Sequence, residues 1–166
     1  MSDGQTARLG MPMLQPGQAQ KELYHNEALA LIDIALHATV TAIGLDMPPA
    51  SPTPGMSWIV GAAPTGAWAG AAHQLAGWTA GGWRFVVPTD GMTVWSLADS
   101  LEARFVGGSW IVGEARATRL KIGGVQVVGA QQAGIAPPSG GVTIDAEART
   151  ALALILGALS AHGLIG

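Results

Sequence analysis

The chain has 166 residues, of which 49% are hydrophobic and only 11% charged, with a formal net charge of −3 at pH 7. Its eight Lys and Arg residues are scattered and form no basic patch, which argues against nucleic-acid binding by phosphate neutralisation, and the absence of Cys excludes disulfides and thiolate metal sites. No run of about 18 apolar residues is present to span a membrane, the longest approach being Ala151–Leu159 with Gly157 inside it, and the N-terminus lacks the basic-then-apolar pattern of a secretory signal.

Residues 1–16 read as an extended arm, because Gly4, Gly10, Pro12 and Pro16 oppose a helix. A helix is predicted from about Gly17 to His37. Leu29, Ile32 and Leu36 recur at spacings of three and four, and His25 continues the stripe backwards. Tyr24, Ala28, Leu31 and Ala35 form a second apolar stripe beside it, while Gln18, Gln20, Lys21, Glu22 and Glu27 fall mostly on the other side. Residues 38–47 read as a short strand. Four prolines in the seven residues Pro48–Pro54 then give a stiff extended connector, and a domain boundary is placed there.

From Gly55 to Val112 the pattern is all β. Candidate strands are Ser57–Val60, Gln74–Thr79, Trp83–Val87, Thr93–Ser96, Ala103–Val106 and Ser109–Val112, with hairpin turns at Gly81-Gly82 and Gly107-Gly108 and another turn at Thr89-Asp90-Gly91. Short strands at close spacing predict a small antiparallel barrel or sandwich. Residues 113–141 are Gly-rich and extended, with a strand pair around Gly123-Gly124. A closing helix is predicted from Asp145, a good N-cap, to His162, with Gly163 as the residue that ends it. In it Ala148, Leu152, Ile155, Leu159 and His162 repeat at heptad spacing, and Leu156 widens the face. The predicted fold is therefore mainly β with flanking helices. It divides into an N-terminal arm and docking helix (1–47), a Trp-rich β domain (55–112), and a linker with the C-terminal helix (113–166).

All six Trp residues lie between positions 58 and 110. Most are expected to fill a core otherwise built from Ala, Gly and Val. A flat indole also stacks on sugar rings, so Trp68, in its Gly-rich stretch, and Trp78 are the candidate glycan platforms. Catalytic groups are sparse. His25, His37, His73 and His162 lack metal-ligand spacing with one another. Asp90, Asp99 and Glu102 are the only acids from which a carboxylate pair for sugar hydrolysis could be drawn, and Asp90 sits in an Asp-Gly turn where its local job is structural. No Gly-x-Ser-x-Gly elbow, phosphate loop or dinucleotide fingerprint is present. No enzyme activity, metal or other cofactor is expected.

Three stretches carry a resemblance. They are Arg8-Leu9-Gly10-Met11-Pro12, then Pro16-Gly17-Gln18-Ala19-Gln20-Lys21-Glu22, then His25-Asn26-Glu27-Ala28-Leu29. With Ile59-Val60-Gly61, Gly66-Ala67-Trp68-Ala69-Gly70 and Gly82-Trp83-Arg84-Phe85 they resemble a domain family of unassigned activity. That family occurs in phages, prophages and gene transfer agents of alphaproteobacteria, often beside tail or spike genes. The likeness spans roughly residues 8–112. The closing segments Asp145–Arg149 and Ala161–Ile165 are similar to the ends of fibre-like proteins from the same particles. The resemblance implies a virion component, assembled in the bacterial cytoplasm, and supplies no catalytic residue.

A chain this poor in charge is best kept soluble by sharing surface with other subunits. The expected partners are therefore copies of itself, as a trimer or pentamer, and other capsid, tail or fibre proteins. Gln18, Gln20, His25, Asn26, Leu29, Ile32, Leu36, Leu152, Ile155 and Leu159 are the candidate interface residues. The leading functional expectation is a homo-oligomeric spike or fibre-base subunit. The alternatives are a module that grips host capsular polysaccharide and a small glycan hydrolase.

Overall fold

The structure, a computed structural model, describes residues 4–15, 17 and 21–166. It divides into two compact units, Met1–Glu114 and Ala115–Gly166.

The first unit begins with the arm. Thr6 N–H donates to Met11 O and Met13 N–H to Gly4 O, so the arm doubles back on itself as a short bridged loop. Helix α1 follows at Lys21–Ala35. Two short strands, β1 (Thr39–Val40) and β2 (Ile43–Leu45), occupy the segment read from sequence as one strand. Then come β3 (Ser57–Val60), a 3-10 turn at Gly66–Trp68, β4 (Leu75–Thr79), β5 (Gly82–Val86), β6 (Thr93–Ser96), β7 (Leu101–Val106) and β8 (Ser109–Val112). The Gly-marked turns close the β4–β5 and β7–β8 hairpins as anticipated.

These strands form two four-stranded sheets, ordered β1-β6-β7-β8 and β2-β3-β4-β5. The reason 38–47 is two strands is that it serves both. Its first part runs parallel to β6, with Thr39 opposite Trp95, and its second runs parallel to β3, with Ile43 opposite Ile59. Backbone bonds from Trp95 N–H to Ala38 O and from Thr41 N–H to Ser57 O, 2.9 and 2.7 Å, fix the crossing. This overturns the boundary placed at Pro48–Pro54. That connector is a loop inside one unit, because the strands on either side of it are hydrogen-bonded neighbours.

Two cores result. One lies where both sheets and α1 meet, and contains Ile34, Val40, Ile59, Leu75, Val94 and Ala103. The other lies on the opposite face of β3–β5 and is aromatic, with Trp58, Val60, Trp68 and Ala76 buried. Every residue of β3 is buried, since both of its faces are covered. Helix α1 is seated by a notch. A Cβ at Gly77 would stand 2.5 Å from Ile34 Cδ1, so only glycine admits the isoleucine there.

The second unit carries β9 (Leu120–Ile122) and β10 (Val125–Val128) as an antiparallel pair, and helix α2 (Ala146–Ala161). Asp145 caps α2 by accepting from Ala148 N–H at 2.9 Å, as its position in the sequence suggested. The last residues return to Gln132, with Gly166 N–H donating to Gln132 O at 2.7 Å. Among the described residues, Ile165 is the one buried hydrophobic of this unit.

The Gly77 notch gives the first prediction. Gly77→Ala should lower stability by about 1–3 kcal/mol in urea denaturation. The same change made on top of Ile34→Ala should cost markedly less, because the clashing side chain is gone.

Candidate functional site

The N-terminal arm is held against the end of α1. Asp33, 4% exposed near the end of α1, accepts Thr6 Oγ1–H at 2.8 Å, Arg8 N–H at 2.9 Å and Leu9 N–H at 2.7 Å. The Arg8 guanidinium meanwhile donates to the last carbonyls of the helix. It reaches Asp33 O, then Ile34 O and Leu36 O, each at 3.3 Å, and His37 O at 2.9 Å. A helix C-terminus exposes such unpaired carbonyls and a partial negative charge, and a cation there satisfies both. Asn26 holds the other end of the arm, its amide bonding Leu14 N–H at 2.9 Å and Leu14 O at 3.0 Å. Glu27 pairs with Arg84 of β5 at 2.7 Å, and this joins the His-Asn-Glu stretch to the Gly-Trp-Arg-Phe stretch.

Asn26, read from sequence as an interface residue, is thus engaged within its own chain. His25, Ile32 and Leu36 are exposed, while Leu29 is half-buried. Gln18 and Gln20 lie outside the described residues. Ile32 lines an apolar groove of about 360 Å3 between α1 and the edge of β5, with Leu31, Ala35, Phe85, Val86 and Val87.

Most of the tryptophans pack inward as expected, but the exposed one is not Trp68. Trp68 is fully buried, which corrects its assignment as the foremost exposed platform. The cause is local. Gly66 adopts a left-handed φ of +59°, and the one-turn 3-10 helix it begins carries Trp68 inward. There its ring centroid lies 5.1 Å from Trp83 and 6.3 Å from Trp58. Trp78 joins the same cluster, 4.9 Å from Trp83, and is half-buried. It walls a cavity of about 650 Å3 with Thr6, Arg8, Asp33 and Thr53. The charged groups of that cavity already have partners, the Asp33 carboxylate and Arg8 guanidinium binding as above, and the Thr79 hydroxyl donates to Gly82 O at 2.8 Å.

The exposed tryptophan is Trp95, at 48%. Strand β6 alternates, with Thr93 and Trp95 outward and Val94 and Ser96 inward. The signal was present in the sequence, since a period of two groups Trp95 with polar Thr93 rather than with Val94. On the outer face of its sheet Trp95 stands between Thr39 of β1 and Glu102 of β7. A shallow cavity of about 210 Å3 lies there, lined by His37, Thr39, Thr93, Trp95 and Glu102.

The acids have structural contacts. Asp90 accepts Gly107 N–H at 3.1 Å, Asp99 accepts Ser96 Oγ–H at 2.5 Å, and Glu102 pairs with Arg104 at 3.2 Å. Among the described residues, no group of three or more His, Asp or Glu is placed to hold a metal ion. No helix among them is long and apolar enough to cross a membrane.

The sequence profile of the family described as "Protein of unknown function (DUF2793)" matches residues 25–111. The chain belongs to this family. The matched span runs from within α1 into β8, so the aromatic cluster, the Glu27–Arg84 pair and nearly all of the two sheets lie in the DUF2793 domain, while α2 lies beyond it. No curated protein matches the chain.

Two predictions follow from the site. Asp33→Ala strips three donors of their acceptor and should cost about 3 kcal/mol or more. Amide exchange at Arg8 and Leu9 should accelerate beyond the global change. Trp68→Ala should cost about 3–5 kcal/mol, whereas Trp95→Ala should stay within about 0.5 kcal/mol of the parent, both read from urea midpoints.

Proposed function

We propose that this DUF2793 protein is a non-enzymatic structural subunit that works as a homo-oligomer, joined through the apolar stripe of α2. One observation carries the reading. α2 is a 16-residue helix without a buried residue, and it bears Leu152, Leu154 and Ile155 at 45, 71 and 55% exposure. An isolated helix of this length is marginal in water, and each such side chain gains about 2 kcal/mol when fully covered. The heptad row of Ala148, Leu152, Ile155 and Leu159 presents that gain in one line, suited to symmetry mates. The second unit has too little buried apolar surface of its own to hold 52 residues in order.

The spike or fibre-base role in a phage-like particle, with assembly in the bacterial cytoplasm and contact with capsid, tail or fibre proteins, rests on the resemblance of residues 8–112 and of both closing segments to chains of such particles. In that role the DUF2793 domain is the rigid head and α2 the seam. The acids are used in turns and pairs, which supports a scaffold over a hydrolase.

Light scattering on the purified chain tests the reading. The parent should give a mass that is a whole multiple, three or five, of 16.8 kDa. Leu152→Lys with Ile155→Lys should reduce it to a single subunit while leaving the near-ultraviolet signal of the tryptophan cluster intact. A parent that is monomeric at micromolar concentration overturns the proposal.

A further inference from the structure

The outer face of the β1-β6-β7-β8 sheet presents a large aromatic that the fold does not use. At 48% exposure Trp95 leaves much of its indole in water, although the other face of the same strand is buried to 2% or less at Val94 and Ser96. An exposed indole that the folding of its own chain does not cover is costly surface, and the chemistry around it says what would cover it well.

That chemistry is mixed. In the strand register Thr39 lies on one side of Trp95 and Glu102 on the other. Directly opposed residues in neighbouring strands bring their Cβ atoms to about 5 Å, so a hydroxyl and a carboxylate flank the ring. Thr93 is two residues back on the same face, and His37 contributes to the rim of the cavity of about 210 Å3. Glu102 is 54% exposed at its side chain and is charge-balanced by Arg104, 3.2 Å away.

We infer that this face is a binding site for a neutral pyranose-based glycan, one sugar ring stacking on Trp95 while its hydroxyls bond Glu102, Thr39 and Thr93. A pyranose has an apolar C–H face and a polar rim, which is the pattern the site mirrors: one flat apolar ring bordered by short polar groups. A protein partner would be better served by the wholly apolar groove beside β5. A phosphate-bearing ligand would meet the Glu102 carboxylate, whose neighbouring cation Arg104 is already paired with it, on a chain of net charge −3. The cavity fits a single ring, so affinity comes from one stacked sugar and is modest. The site lies on the DUF2793 domain and is independent of the α2 seam, so either reading can fail without the other.

Intrinsic tryptophan fluorescence of the full chain, titrated with cellohexaose, maltohexaose and chitohexaose and with polygalacturonate as the acidic control, tests the site. At least one neutral hexaose should give a saturable shift. Trp95→Ala should weaken that binding about tenfold or abolish it, and Glu102→Gln should weaken it about fivefold. Urea midpoints of both variants, close to the parent, would show that the fold is retained. Absence of any saturable response to the neutral hexaoses, an equal response in Trp95→Ala, or a response confined to polygalacturonate overturns the inference. So does a change in the mass of the parent assembly on Trp95→Ala, which would make this face a protein contact.

Discussion

The Arg8–Asp33 interlock is the constraint on which the first unit depends. One residue pair closes both ends of a problem. The arm has backbone donors with no strand to join, and α1 ends in carbonyls with no next turn to receive them. Asp33 accepts from the arm, and Arg8 donates to the helix end. His37, the residue that leaves the helix, has a left-handed φ of 46° without being glycine, and its carbonyl is held by the same guanidinium. From there the chain passes directly into β1 and β2, so the position of the helix end sets the crossing that joins the two sheets. Ile34, next to Asp33, is seated in the Gly77 notch. The arm, the helix and both sheets thus meet within a few residues.

That arrangement gives the family signature a physical meaning. Asn26 pairs with the arm and Glu27 with Arg84, while Gly66 turns Trp68 into the aromatic core. These are contacts within one chain, and they give each of these residues a structural role in holding the arm, the helix and the sheet together. Trp83 is the hub of the aromatic core, in contact with Trp58, Trp68 and Trp78 in edge-on arrangements. Four indoles supply the volume that a β domain rich in Ala and Gly otherwise lacks.

The two units differ in how they satisfy their apolar surface. The first packs both faces of the β2–β5 sheet, leaving an apolar groove beside β5 and Trp95 open to water. The second leaves α2 bare, and its leucines are the surface from which the assembly reading is argued. Trp95 is a third case, a single aromatic set among polar neighbours on an otherwise ordinary sheet face. A continuous apolar line suits another helix, whereas one ring with a polar border suits a small amphipathic ligand.

Local chemistry was legible in the chain itself. The hairpin turns, the strands at Ser57–Val60, Thr93–Ser96 and Ser109–Val112, the Asp145 cap and the heptad row of α2 all follow from residue type and period, because each depends on neighbours within a few positions. Partner choice did not. Trp68 sits in a short Gly-flanked stretch that reads as exposed, yet it is enclosed, since a single left-handed glycine turns it inward. Nor could spacing reveal that Arg8 and Asp33 meet, or that the proline-rich loop lies within one unit rather than between two. Sequence determined most of the elements, where local period and turn chemistry suffice; the tertiary structure split segment 38–47 between two sheets and decided which faces are covered, because pairing and burial depend on contacts between residues far apart along the chain.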